Sequence, residues 1–196
     1  MKAGLGIRHF LVALCSALLF PQVAQAVEVN GVKIDDTARV ANFDLKLNGA
    51  GVRTKLLFKV YVAGIYLTDK KTTTADVLAA PGPKRIILSM LRKVDSDSFG
   101  QAFMEGMHNN STIEERASIV NQMFAFGHMF GSYHNLNPGD VVTVDWVPNQ
   151  GTIVQLNGKQ ISEPLPDVAF YNALLKIWLG DQPADRSLKK VLLGGK

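Results

Sequence analysis

Residues Leu56 to Leu67 carry apolar side chains on both faces of an extended chain: Phe58, Val60, Val62 and Tyr66 on one, Leu57, Tyr61, Ala63 and Ile65 on the other. Side chains alternate sides along a strand, so a strand apolar on both sides has to be covered on both. The segment predicts an interior strand of a sheet lying between two layers. Just before it, Gly49-Ala50-Gly51 interrupt an alternating run in which Phe43, Leu45 and Leu47 share a face, and a lone cation, Arg53, follows. A cation beside so apolar a wall needs a partner, because an unpaired buried charge is very costly. An internal acid such as Asp44, Glu105 or Asp145 can fill that role, and so can the polar head of an apolar ligand.

The remaining pattern sets strands and helices in blocks. Val27 to Ile34 alternates around Asn30-Gly31, a hairpin signal. Thr73 to Ala80 reads as a short helix stopped by Pro81-Gly82-Pro83, and Arg85 to Leu91 as a strand. Asp95 or Ser96 caps a helix in which Phe99, Ala102, Phe103, Gly106 and Met107 recur at helical spacing. After a break at Asn109-Asn110, Thr112-Ile113-Glu114-Glu115 has capping-box spacing for a second helix, with Ala117, Val120 and Phe124 on its apolar stripe. Strands follow at Val141 to Val147 and Thr152 to Leu156. A helix opened by Pro166-Asp167 then carries Tyr171, Leu174, Leu175 and Trp178, and a short terminal helix runs from Ser187 to Leu193. Strands and helices in alternating blocks predict an α+β fold with a largely antiparallel sheet, rather than βαβ winding.

The N-terminus predicts export. Lys2, Arg8 and His9 precede the mostly apolar run Phe10 to Phe20, which is too short to span a bilayer, and Ala24-Gln25-Ala26 has the small-x-small form of a cleavage site. Residues 1–26 read as a signal peptide and 27–196 as a single domain, secreted and periplasmic in a bacterium. Removing Lys2 and Arg8 lowers the net charge from +4 to +2. The remaining Lys and Arg are scattered, with no basic run interleaved with aromatics, so a nucleic-acid partner is not expected. No second apolar stretch reaches spanning length, so stable membrane insertion after cleavage is not expected either.

Few residues offer catalytic chemistry. The single cysteine, Cys15, lies in the leader. There is no Gly-x-Ser-x-Gly elbow, phosphate-cradling glycine loop or His-Glu-x-x-His pair. His108, His128 and His134 fit no common metal spacing, so neither metal nor cofactor is expected. Glu114-Glu115 reads as helix-start carboxylates. Met104, Met107, Met123 and Met129 read as core filling, or as a soft wall for an adaptable apolar ligand. Asn110-Ser111-Thr112 is a glycosylation sequon better explained as a helix start.

The pattern Gly49-Ala50-Gly51-Val52-Arg53, then Phe58 to Leu67, resembles the chalcone isomerase superfamily. So do Asp97 to Glu105 and the ending Asn172 to Asp181 followed by Leu188-Lys189. The resemblance covers residues 43–193 and is nearest to the bacterial, secreted chalcone isomerase-like branch. It implies an open-faced β-sandwich, a large antiparallel sheet covered by a helical layer with a ligand cleft between them. It also implies a site whose arginine is Arg53. The threonine of the following strand falls on Tyr61, the helix tyrosine on Phe99, the asparagine on Gly106 and the late threonine on Ile177. Four of five positions depart from the enzymes, and losing even one preorganised donor commonly costs ~10²–10³ in rate.

The departures resemble the non-catalytic fatty-acid-binding members, which pair the arginine with a tyrosine. A guanidinium and a phenol hydroxyl suit a carboxylate. Phe99, Phe103, Gly106, Ile177 and Trp178 would supply apolar wall. The expected ligand is a small apolar carboxylate such as a fatty acid. Two alternatives stay open: an isomerase or intramolecular lyase on another enolisable substrate using Arg53 and Tyr61, and a partner-binding protein with a vestigial cleft. Arg53 and Tyr61 lie eight positions apart, ~26 Å along a straight strand. They meet only if the chain bends between Thr54 and Leu57.

Overall fold

The computed structural model describes residues 26–195. The leader read over residues 1–26 lies, but for Ala26, outside the described residues. β1 (Ala26–Val29) and β2 (Val32–Asp35) form a hairpin of their own. β3 (Thr37–Val40), β4 (Phe43–Lys55) and β5 (Phe58–Leu67) then run back and forth, and α1 (Thr74–Ala79) leads into β6 (Lys84–Met90). The two-residue β7 (Val94–Asp95) precedes α2 (Ser96–Asn109), α3 (Ile113–Ser118) and α4 (Val120–Met129). After β8 (Asn135–Leu136), which pairs with β7, come β9 (Val141–Val147), β10 (Gly151–Leu156) and β11 (Lys159–Gln160). α5 (Val168–Leu179) and α6 (Arg186–Leu192) close the chain.

The main sheet has seven antiparallel strands in the order β11-β10-β9-β6-β5-β4-β3. This is the α+β, open-faced sandwich architecture expected from the sequence. β5 is an interior strand, and its two apolar faces go to two clusters. Tyr61, Ala63, Ile65 and Leu67 pack under the helices with Phe103, Phe126, Leu174 and Trp178. Val62 and Tyr66 pack with Ile34, Leu45 and Leu47 beneath the β1–β2 hairpin. Tyr66 is tied there by a 2.9 Å bond from its hydroxyl to the Asp35 carbonyl. α5 buries Phe170, Tyr171, Leu174, Leu175, Ile177 and Trp178, so it is a core helix held by packing rather than by propensity.

Three local expectations are corrected. Gly49-Ala50-Gly51 do not interrupt β4, which runs through to Lys55. These glycines instead let α6 lie directly on the strand: a Cβ at Gly49 would meet the Val191 carbonyl oxygen at 2.0 Å. Leu56 and Leu57 are not strand residues but a tight reversal between β4 and β5. The helix begun at the Thr112 capping box is broken at Ile119 (φ −117°, ψ 13°). That break rotates the following face, so Ile119, Met123 and Phe126 are buried while Ala117, Val120 and Phe124 are exposed.

Candidate functional site

The site is built on the β4–β5 hairpin. Lys55 pairs with Phe58 and Thr54 with Lys59. Continuing that register would set Val60 opposite Arg53. Instead Arg53 pairs with Tyr61, and Val60 is the extra residue of a β-bulge. Directly opposed residues project from the same face, so the bulge exchanges a valine for a tyrosine beside the arginine. A second bulge at Asn48, between the pairs Leu47–Tyr66 and Gly49–Ile65, compensates on the opposite strand. Asn48 fixes it by donating to the carbonyls of Lys71 and Leu192 at 2.9 and 2.7 Å and accepting from the Lys71 N–H at 2.6 Å.

Arg53 is half-buried, with its guanidinium carbon 5.5 Å from the Tyr61 ring centre. Its Nε is buried without a hydrogen-bond partner, and the ion pairs among the described residues do not include it. Two of the acids considered for it are engaged elsewhere: Asp44 with Arg39, and Asp145 with Arg85 through two 2.6 Å bonds. Asp185 is also close. It accepts the Thr54 N–H at 2.9 Å and caps α6 through the N–H groups of Ser187 and Leu188.

Tyr61 is 2% exposed, and its hydroxyl accepts a 2.8 Å hydrogen bond from Trp178 Nε1. Burial pushes its pKa up to about 12, against the opposing pull of Arg53 and the Trp178 bond. The phenol therefore keeps its proton near neutrality, and with Trp178 as donor its own O–H remains available for donation. That state suits hydrogen bonding to an anion. It does not suit a general base, which works best with a pKa near the operating pH.

Arg53 and Tyr61 open onto a cleft of about 470 Å³ between the sheet and the α2–α5 layer, within the range of small-ligand sites. Phe99, Phe103, Gly106 and Ile177 line it. Trp178 does not. It is fully buried behind the wall, edge-on to Phe103 at 5.4 Å, and acts on the cleft only through the Tyr61 hydroxyl. Lys55 and Arg186 add positive charge to the lining, and Glu105 and Asp181 negative. None of the four central methionines lines this cleft; Met107, Met123 and Met129 belong to the buried core.

Gly106 and Ile177 are structurally coupled. A Cβ at Gly106 would lie 2.9 Å from Ile177 Cγ2 and 3.1 Å from Cγ1, so the bulk of one requires the absence of the other. Asn110, expected from the sequence only as a break between helices and a helix start, supports the site. Its Nδ2 donates to the carbonyls of Gly106 and Gln182, both at 2.9 Å, and its Oδ1 accepts the Gln182 N–H at 2.8 Å. It clamps the loop after α5, whose residues Asp181 to Ala184 line the cleft. Only its place at the end of α2 hinted at this. Among the described residues, no group of three or more His, Cys, Asp or Glu side chains is placed to hold a metal ion, and no helix is long and apolar enough to cross a membrane.

A family profile described as chalcone isomerase-like matches residues 26–194, nearly all of the described chain. The chain belongs to the chalcone isomerase-like family. No curated protein sequence matches it significantly. Among solved structures, this chalcone isomerase-like chain is similar to the Arabidopsis thaliana fatty-acid binding protein AtFAP1, with a TM-score of 0.69 and 16% identity, covering 86% of this chain and 96% of that one. At that identity the likeness is one of fold. Within the chalcone isomerase-like fold, the positions Phe99, Gly106 and Ile177 bring no side-chain donor or acceptor into the cleft.

Proposed function

We propose that this chalcone isomerase-like domain is a secreted, periplasmic binding protein of a bacterial branch of the family, and that it holds a small apolar carboxylate of the fatty-acid class without turning it over. The observation that carries the reading is Arg53: a guanidinium with a buried, unpartnered Nε, beside a protonated Tyr61, at a cleft walled by Phe99, Phe103 and Ile177. A carboxylate would accept from the guanidinium and the phenol together, which are charge-assisted and neutral donors respectively.

Magnitudes favour a binder in which the tail supplies affinity and the head supplies orientation. Each buried methylene contributes ~0.8 kcal/mol, so a ten-methylene tail contributes ~8 kcal/mol gross. The charged hydrogen bonds of the head contribute ~1.5–3 kcal/mol. The fatty-acid binding named for the Arabidopsis protein of the same fold supports this ligand class. The isomerase alternative is disfavoured by the apolar side chains at Phe99, Gly106 and Ile177 and by a tyrosine too weakly acidic to shuttle protons at neutral pH.

The test is extraction of purified protein and mass spectrometry of co-purified lipids, together with displacement of an anionic fluorescent fatty-acid probe. A stoichiometric fatty acid, lost in Arg53→Ala, is the expected result. Empty protein that also fails to bind the probe contradicts the reading, and turnover of an enolisable substrate that vanishes in Tyr61→Phe would favour the enzyme.

A further inference from the structure

The turn that joins Arg53 to Tyr61 breaks the ordinary chemistry of hairpins. A two-residue reversal with a positive φ calls for Gly, Asn or Asp. Here the residue at φ 56° is Leu56, followed by Leu57. A branched side chain in the left-handed region is disfavoured, and such violations collect at functional positions. These two leucines are also the most exposed of the large apolar side chains, at 86% and 93%, and Phe58 beside them is 56% exposed.

The surroundings of this tip are basic. Lys55 and Lys59 flank it in sequence, and Arg92 and Lys93 come from the neighbouring loop, all four exposed. The Arg92 guanidinium lies 4.5 Å from the Phe58 ring centre, and Lys59 Nζ reaches toward the β1–β2 turn at Asn30 Oδ1, so cations lie to both sides of the apolar tip. No acidic residue occurs from Arg53 to Val60 or from Leu91 to Val94. The acids next in sequence are Asp95, which caps α2 through the Ser98 N–H, and Asp97; Asp185 is hydrogen-bonded to Thr54, and Glu105 and Asp181 share the main cleft with Lys55. A second cleft of about 260 Å³ runs from Leu56, Phe58 and Arg92 to Arg53, Phe99 and Ala102, which also line the main cleft.

We propose that the β4–β5 tip is a membrane-contact element. Leu56, Leu57 and Phe58 enter the interfacial layer of an anionic bilayer, and Lys55, Lys59, Arg92 and Lys93 meet its phosphates. Apolar side chains rimmed by cations are the complement of such a surface, and the apolar part is unfavourably exposed in open water. Docking in this way sets the mouth of the Arg53 cleft against lipid, so an acyl chain can pass between bilayer and cleft without crossing water. That exchange role rests on the carboxylate-binding reading; the docking itself does not.

The experiment is vesicle flotation of the mature chain, with probe binding measured in parallel. The protein floats with vesicles of phosphatidylcholine containing phosphatidylglycerol, less with phosphatidylcholine alone, and less as salt rises. Lys59→Gln and Lys93→Gln each weaken binding about fivefold, the loss of one cation near an anionic surface. Leu57→Ser reduces flotation at least as much while probe binding in solution and the thermal melt stay unchanged. Failure to float with anionic vesicles overturns the proposal. So does a concentration-dependent dimer, or a complex with another protein, that Leu57→Ser abolishes while flotation persists. Flotation by protein that binds no probe supports the docking and removes only the carboxylate reading.

Discussion

Arg53 stands directly opposite Tyr61 across β4 and β5, guanidinium carbon 5.5 Å from ring centre, because one extra residue, Val60, is built into β5. The hairpin register alone would have placed a valine there. The placement of guanidinium and phenol together at the cleft is therefore a property of the bulge and of the bond that Trp178 makes to the tyrosine hydroxyl.

Tyr61→Phe keeps the ring and removes that hydroxyl. Trp178 Nε1 is then buried without its acceptor, at a cost of about 1–3 kcal/mol. Denaturant unfolding is expected to show that loss. Probe affinity falls about fivefold, the value of one neutral hydrogen bond. Unchanged affinity would mean that the hydroxyl serves only the fold.

Gly106→Ala tests the contact with Ile177. Alanine is better than glycine in a helix by about 1 kcal/mol, but overpacking costs about 1–3 kcal/mol. The variant is therefore neutral or destabilised in the natural chain and stabilised in an Ile177→Ala background. A double-mutant cycle should return a coupling of about 1 kcal/mol or more, and simple additivity would contradict the close approach.

Asn110→Ala removes two hydrogen bonds to Gln182 in the loop after α5 and one to the Gly106 carbonyl of α2. Stability falls by about 2–3 kcal/mol, and the Gln182 amide, which donates to Asn110, exchanges its hydrogen much faster. Protection of Gln182 at the natural level in the variant would show that the loop is held by something else.

Lys84 gives a pH signature. It is 2% exposed, donates to the Leu78 carbonyl at 2.7 Å, and burial lowers its pKa from 10.5 to about 8. Between those two values the unfolded chain binds more protons than the folded one, so stability rises with pH through that window. Below it both states are protonated and the slope vanishes. Tyr61 and Tyr66, both pushed up to about 12, act oppositely once unfolded tyrosine ionises near 10. Chemical unfolding from pH 7 upward should thus show a rise and then a fall. Lys84→Met removes the rise and keeps the fall; a rise that persists would contradict the assignment.

The two-sided apolar pattern of residues 58–67 made the interior strand legible, and the capping and turn residues made most helices and hairpins so. The α3–α4 break was not legible, because one residue leaving helical φ/ψ shifts which apolar positions face the core without altering composition. The leucine turn was hidden for a related reason: Leu56-Leu57 lack turn chemistry and read as more strand. In the site, Arg53, Tyr61, Phe99, Phe103, Gly106 and Ile177 could be named from the sequence and lie at one cleft. Trp178 could be named but not placed, since spacing on a helix does not say whether a side chain forms the wall or stands behind it. Asn110 was missed because its partner, Gln182, is 72 positions away.

In the proposed function Arg53 recognises a carboxylate and the cleft an acyl chain. The most direct measurement compares a long-chain fatty acid with the alcohol of the same chain length, titrated calorimetrically into the natural protein and into Arg53→Met. The natural protein is expected to prefer the acid by about tenfold to a hundredfold, the value of a charge-assisted contact, and Arg53→Met to bind both alike. Equal affinity for acid and alcohol in the natural protein, or a preference for the acid that survives Arg53→Met, would contradict it.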